Sequence, residues 1–135
     1  MFSVIFPGQG SQIIGMGKEF FDKFDLVKNL FKSADEILET PLSKIILEGP
    51  KEELDLTINT QPSIFLISYS IFNVIQKEFN IDLTKAKYFA GHSLGEYSAL
   101  SSAGYLDFSK TIKLLKVRGD AMQNAVPKGE GGMLA

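Results

Sequence analysis

Apolar residues recur along this chain in two rhythms, and their alternation predicts its architecture. Phe2-Ser3-Val4-Ile5-Phe6 is a short, mostly apolar run, and Lys87 to Gly91 holds another in Tyr88-Phe89-Ala90. Runs of this length, bounded by turn residues, read as buried strands. Between them the spacing becomes helical. Val27, Leu30, Phe31, Ala34, Ile37 and Leu38 fall on one face of a helix over Leu26 to Glu39. Gly15 to Phe24 predicts a shorter helix ahead of it. Thr40-Pro41 ends the second helix, because the residue before a proline is pushed out of the helical region. Leu42 to Leu47 and Lys51 to Leu56 predict two short helical pieces, divided by Gly49-Pro50. Asn59-Thr60-Gln61-Pro62 opens a long helix toward Phe79, with Pro62 expected in the first turn, where a missing N–H costs nothing. That helix is apolar around much of its circumference, which predicts a central, buried position. Glu96, Tyr97, Ala99 and Leu100 mark a helix that stops near Gly104, and Asp107 reads as the N-cap of a last helix reaching Asn124. Val126 to Gly132 is a connector rich in proline and glycine, and Met133-Leu134-Ala135 begins a further apolar segment.

Strands that alternate with helices predict an α/β fold layered around a parallel sheet. Two strands are too few to make such a sheet self-sufficient, so the chain is expected to be part of a larger protein. It carries no internal repeat and no low-complexity run.

Composition removes several classes of function. With 135 residues and a hydrophobic fraction of 44%, the chain suits one modest soluble domain. It has no cysteine and one histidine, which excludes disulfides, thiolate metal sites and a multi-histidine metal site within it. No metal and no cofactor are expected. The net charge of −2 argues against general nucleic-acid binding. Residues 1–15 lack the basic leader and long apolar stretch of a signal peptide. The most apolar region, 62–75, is interrupted by Ser63, Ser68, Ser70 and Asn73 and is too short to span a bilayer. A cytoplasmic protein with no membrane partner is the expectation.

Candidate chemistry centres on Gly91-His92-Ser93-Leu94-Gly95. This G-x-S-x-G pattern lies between a predicted strand and a predicted helix, the setting in which a serine sits at the apex of a strained turn. The helix N-terminus beneath it offers unpaired N–H groups to a developing oxyanion. Ser93 is therefore the candidate nucleophile, and the residue after it, Leu94, the candidate for one oxyanion donor. A second donor comes from another strand–helix loop. Pro7-Gly8-Gln9-Gly10-Ser11-Gln12 is placed to supply it through the Gln9 N–H, although an ordinary tight turn fits the same spacing. The loop does not match a dinucleotide fingerprint, since Ile13 stands where the third glycine belongs.

Arg118 is the one arginine among 14 basic residues. Its helical neighbours Leu114, Leu115 and Met122 are apolar, which places it along a core-facing stripe, while Lys110, Lys113 and Lys116 are expected on a wet face. A buried guanidinium needs an anionic partner. An internal salt bridge and a clamp for a substrate carboxylate both satisfy that need. His92 is adjacent to Ser93 and points elsewhere on such a turn, so it is not expected to act as the base. The base would be a histidine reached through space, so either it lies in a segment outside this chain, which the ending at an apolar start favours, or the chain is not an acyl-transfer enzyme.

Phe6-Pro7-Gly8-Gln9-Gly10-Ser11-Gln12, Asn59-Thr60-Gln61-Pro62, Gly91-His92-Ser93-Leu94-Gly95-Glu96 and Arg118-Gly119, in this order and spacing, closely resemble the malonyl-CoA:acyl carrier protein transacylase family. The start at Met1, just before the first motif, looks like the free-standing enzyme rather than a domain of a multifunctional synthase. The resemblance implies an acyltransferase of fatty-acid biosynthesis that moves malonate from coenzyme A to acyl carrier protein through an ester on Ser93. It implies that the Gln9 and Leu94 N–H groups form the oxyanion hole, that Arg118 holds the free malonyl carboxylate, and that Gln61 and His92 line the pocket. It implies an α/β-hydrolase-like parallel-sheet core with a small ferredoxin-like subdomain inserted. Residues 1–127 would belong to the large subdomain and 128–135 would start the small one. Family members are more than twice as long, and the missing part would hold the catalytic histidine, so the fragment alone is expected to be inactive.

Two other functions share some of these features. A serine esterase or acyl hydrolase would use the same elbow but accept neutral esters and need no arginine. A non-catalytic module would bind acyl carrier protein without acylation of the serine.

Overall fold

The two apolar runs form strands, and they pair with each other. In the computed structural model, which describes residues 1–126 and 130, β1 (Ser3–Phe6) and β2 (Tyr88–Gly91) lie parallel. The register runs from Ser3 opposite Tyr88 to Phe6 opposite Gly91. Five helices intervene: α1 (Lys18–Lys23), α2 (Asp25–Leu38), α3 (Leu42–Glu48), α4 (Lys51–Leu54) and α5 (Thr57–Lys77). A 3-10 turn at Leu83–Lys85 leads into β2. Two helices follow, α6 (Gly95–Ser102) and α7 (Phe108–Ala125). Among the described residues the sheet has these two strands only. The chain is thus helix-rich α/β around a parallel sheet, as its hydrophobic rhythms predict.

The core lies among the helices. Val27 and Phe31 of α2, Leu42 and Ile46 of α3, Phe65 and Leu66 of α5 and Ile112 and Leu115 of α7 are all fully buried in one cluster. Each such side chain contributes about 1.5–3 kcal/mol by leaving water. A smaller cluster of Phe6, Phe72 and Ala99 joins the sheet to α5 and α6, with Val4, Leu83 and Phe89 packed against it. Every residue of α5 from Asn59 to Leu66 is buried, which makes it the central helix. Asp107 caps α7, its carboxylate accepting from the Lys110 N–H at 3.0 Å.

Two helix starts differ from the expected ones. Helix α1 begins at Lys18 rather than Gly15, because Gly15 and Gly17 have φ of 81° and 75° and turn the chain the left-handed way first. Helix α5 begins at Thr57, so Pro62 is inside the helix and not in its first turn. The Ile58 carbonyl consequently has no helical N–H donor at position 62. Side chains just before the proline secure this end of the helix. Asn59 Nδ2 donates to the Glu53 carbonyl at 2.9 Å, and Thr60 Oγ1 donates to the carbonyls of Leu54 and Leu56. The bonds to Glu53 and Leu54 tie α5 back to carbonyls at the end of α4.

Apart from residue 130, the expected small-subdomain start at 128–135 lies outside the described residues, as does the apolar segment from Met133. Among the described residues no helix is long and apolar enough to cross a membrane.

Candidate active site

Ser93 stands at the bend between β2 and α6 with φ of 55°, a left-handed conformation that side chains other than Asn and Asp seldom adopt. The neighbouring backbones explain how it is held there. A Cβ on Gly91 would come within 2.0 Å of the Gly95 backbone, and one on Gly95 within 2.6 Å of the Phe6 carbonyl. The glycines on either side of the serine therefore let α6 close onto both strands. The His92 N–H donates to the Phe6 carbonyl at 3.2 Å, and the Leu94 side chain is completely buried. These contacts fix the turn from both sides and leave the serine half-buried at its apex.

Gln9 and Leu94 each lie three residues beyond the last paired residues, Phe6 and Gly91. Both therefore leave the sheet at the C-terminal end of its strands. Neither backbone N–H has a hydrogen-bond partner among the described residues. That is the state in which a donor pair can receive an oxyanion without first breaking a bond.

Arg118 reaches this bend from α7. Its Nη2 donates to Ser93 Oγ at 3.2 Å and its Nη1 to Gln61 Oε1 at 2.6 Å. Its guanidinium lies 5.6 Å from the centre of the Tyr97 ring, within cation–π range. Gln61 is fully buried on α5, and its Nε2 donates to the Met122 sulfur at 3.3 Å. The structure thus brings Ser93, Arg118 and Gln61 into one hydrogen-bonded group. His92 is exposed, with its ring against Gly8, and makes no hydrogen bond to Ser93 Oγ.

Two details of α7 correct the stripe read from sequence. Its buried residues are Thr111, Ile112, Leu115 and Gly119, whereas Leu114 and Met122 are exposed. Arg118 is half-buried at the margin of that face, where its head is free to turn toward Ser93. Lys116 does not share the wet face of Lys110 and Lys113. Its Nζ donates to Asn59 Oδ1 at 3.2 Å, and burial lowers its pKa from the usual lysine value against a smaller opposing pull from Asp120. No carboxylate pairs with Arg118 among the described residues. The internal salt bridge, one of the two fates open to this arginine, is absent from that part of the chain.

Sequence reasoning missed Tyr97, Gln12 and Asp55. Tyr97 follows Ser93 by one helical turn, and that spacing was a signal for it. Gln12 closes the motif that begins at Phe6, but its meeting with Asp55 spans 43 positions, and no local pattern marks that pairing.

A strained serine, two open N–H donors and a guanidinium without an anion suit transfer of an acyl group that carries its own negative charge. The acyl transferase domain family matches residues 3–135. The chain belongs to this acyl transferase family. Malonyl CoA-acyl carrier protein transacylase of Bacillus subtilis strain 168 is 48% identical over 131 residues, which are 97% of this chain and 40% of that protein. The crystal structure of an acyl carrier protein S-malonyltransferase of Vibrio cholerae is similar, with a TM-score of 0.88 and 43% identity over 95% of this chain and 41% of the other. A malonyl-transacylase solved in complex with a type II polyketide acyl carrier protein also superimposes, with a TM-score of 0.85 and 43% identity over 95% of this chain and 40% of that one. The chain spans about two-fifths of the length of these acyltransferase relatives.

Proposed function

We propose that the protein to which this chain belongs moves a malonyl group from coenzyme A to the phosphopantetheine thiol of acyl carrier protein. Ser93 Oγ attacks the thioester carbonyl, and the N–H groups of Gln9 and Leu94 receive the negative charge that develops on its oxygen. Collapse of the tetrahedral intermediate expels the coenzyme A thiolate and leaves a malonyl ester on Ser93. The carrier thiol then attacks that ester and the serine is released. Arg118 pairs with the free malonyl carboxylate, Gln61 steadies the guanidinium from the side, and His92 lines the pocket mouth.

The general base is a histidine contributed by the rest of the protein. His92 is exposed and makes no hydrogen bond to Ser93 Oγ, so among the described residues no histidine is placed to take the serine proton. Residues 128–135 begin the small ferredoxin-like subdomain, and the reaction takes place in the cytoplasm.

The observation that carries this reading is the 3.2 Å approach of Arg118 to Ser93 Oγ by a guanidinium that pairs with no carboxylate among the described residues. The relatives named as malonyl transacylases support it. Intact-protein mass measurement after incubation with malonyl-CoA tests it directly. The full-length protein is expected to gain one malonyl group and the Ser93→Ala variant none. The 135-residue stretch, assayed beside them, is expected to show no steady transfer. A malonyl adduct that persists in Ser93→Ala would sink the assignment.

A further inference from the structure

The loop that carries Gln9 is held by side chains with no part in the chemistry above. Gln12 sits at its end and folds its amide back over it. Gln12 Oε1 accepts from the Gly10 N–H at 2.8 Å, while Gln12 Nε2 donates to Asp55 Oδ1 at 3.0 Å. Asp55 lies at the junction of α4 and α5 and also pairs with Lys51. The hydrogen bonds from Lys51 and then from Gln12 hold its carboxyl below the ordinary value, so it stays ionised and acceptor-only near neutral pH. Two further ties reach the same loop and junction. Ser11 Oγ donates to the Gly8 carbonyl at 2.9 Å, and Gln9 Nε2 donates to Thr57 Oγ1 at 3.1 Å.

The consequence follows from where the fixed points lie. The Gln9 N–H is one peptide from Gly8 and one residue from Gly10, and backbone at two glycines bends easily. Left alone, such a segment would wander by more than the tolerance of a hydrogen bond. The Gln12 amide removes that freedom by bonding the backbone next to Gln9 and anchoring the loop to a helix junction. That junction also meets α7, since the Thr57 N–H donates to Gln123 Oε1 at 3.0 Å. One bracket therefore sets the Gln9 donor and the helix that bears Arg118 relative to each other.

We infer that Gln12 and Asp55 are positioning residues for the oxyanion donor at Gln9. The inference rests on the acyl-transfer reading. Because the oxyanion exists only along the reaction path, loosening its donor lowers kcat and leaves KM little changed.

The test uses the full-length protein with malonyl-CoA as donor and phosphopantetheine-bearing acyl carrier protein as acceptor. Loss of an entire oxyanion donor lowers kcat about 100- to 1000-fold, and a donor that is loosened but present should lose less, on the order of tenfold in Gln12→Ala. Asp55→Ala should lose less than Gln12→Ala, because the bond from Gly10 to Gln12 survives. Asp55→Asn keeps an acceptor oxygen and should stay near the wild-type rate. Gln12→Glu alone sets two carboxylates against each other and should be impaired. The exchanged pair, Gln12→Glu with Asp55→Asn, restores a donor facing an acceptor and should recover most of the rate. Thermal melts of every variant separate this pattern from a general loss of fold, which no exchange of donor and acceptor would rescue. A wild-type kcat in Gln12→Ala, an equal change in KM, or no recovery in the exchanged pair would overturn the positioning role alone. A wild-type protein that forms no ester on Ser93 would overturn the acyl-transfer reading, and this inference with it.

Discussion

The seam between α5 and α7 is closed, and the two-stranded sheet beside it is open along both outer edges among the described residues. At the seam, backbone meets backbone. A Cβ on Gly119 would come within 2.6 Å of the Thr57 carbonyl and 2.7 Å of the Ile58 Cα. Three consecutive buried polar side chains of α5 have partners there: Asn59, Thr60 and Gln61 all hydrogen-bond to atoms outside their own helical turn. At the sheet, Ile5 is 77% exposed and Tyr88 60% exposed. A groove of about 760 Å³ runs along β2 and α6, with Phe89, Ala99, Leu100 and Tyr105 in its wall and Ser93 outside it. That groove is thus separate from the candidate site. The helical seam fixes the two backbones that carry Gln61 and Arg118 relative to each other, because Gly119 packs directly on helix backbone. The sheet contributes the bend that lifts Ser93, and its free edges offer unpaired backbone groups to another strand.

The strongest way to probe the seam is to remove the charge it presents. Arg118→Ala in the full-length protein is expected to depress malonyl transfer by about 2–5 kcal/mol in activation free energy, the usual cost of leaving one member of a desolvated charge pair alone. Acetyl transfer, which has no second carboxylate, should fall far less. Parallel kinetics with malonyl-CoA and acetyl-CoA measure the difference, and equal losses would return Arg118 to a purely structural role.

A smaller effect is expected from prying the seam apart. Gly119→Ala forces a methyl group against helix backbone that has no side chain to swing away, and overpacking of this kind costs about 1–3 kcal/mol. The melting temperature should drop by several degrees and malonyl transfer should fall with it, because Arg118 is the preceding residue. A melt matching wild type would mean that the two helices are not in close contact.

The least change in fold stability is expected at the open edge. Tyr88→Lys combined with Leu100→Lys in the 135-residue stretch should alter stability by no more than about 0.5 kcal/mol per site, as exposed substitutions usually do. The open strand edges predict that the stretch associates with itself, and its sedimentation should nonetheless shift toward smaller species, because lysine on the β2 edge and in the groove beside it discourages pairing between copies. Unchanged association would place the sticky surface elsewhere.

Elements that depend on local pattern were legible in the sequence. Asp107 caps α7, Val27, Phe31 and Ala34 of the predicted apolar face are buried, and the G-x-S-x-G spacing signalled a strained turn, which the structure shows as a φ of 55° at Ser93. Features that depend on tertiary partners were not. Pro62 suggested a helix start, yet the bonds from Asn59 and Thr60 to carbonyls before Thr57 carry the helix upstream of it. Lys116 looked like its neighbours Lys110 and Lys113, and only the approach of Asn59 from α5 sets it apart. The 3-10 turn at Leu83–Lys85 also escaped, although Asp82, whose side chain accepts from the Thr84 N–H at 3.1 Å, is a local signal for it. Arg118 was recognisable as unusual by its rarity, but its margin position depends on which face of α7 meets α5.

The left-handed backbone at Ser93 bears on any attempt to make this protein more heat-resistant. A residue with a side chain held at positive φ sits roughly 1–3 kcal/mol above a relaxed conformation, and glycine escapes most of that cost. A screen that selects for survival on heating, blind to turnover, would therefore favour glycine at the position where the proposed nucleophile needs its hydroxyl. Improvement by such selection has to hold position 93 fixed and look for its gains in the helical layer, away from the bend.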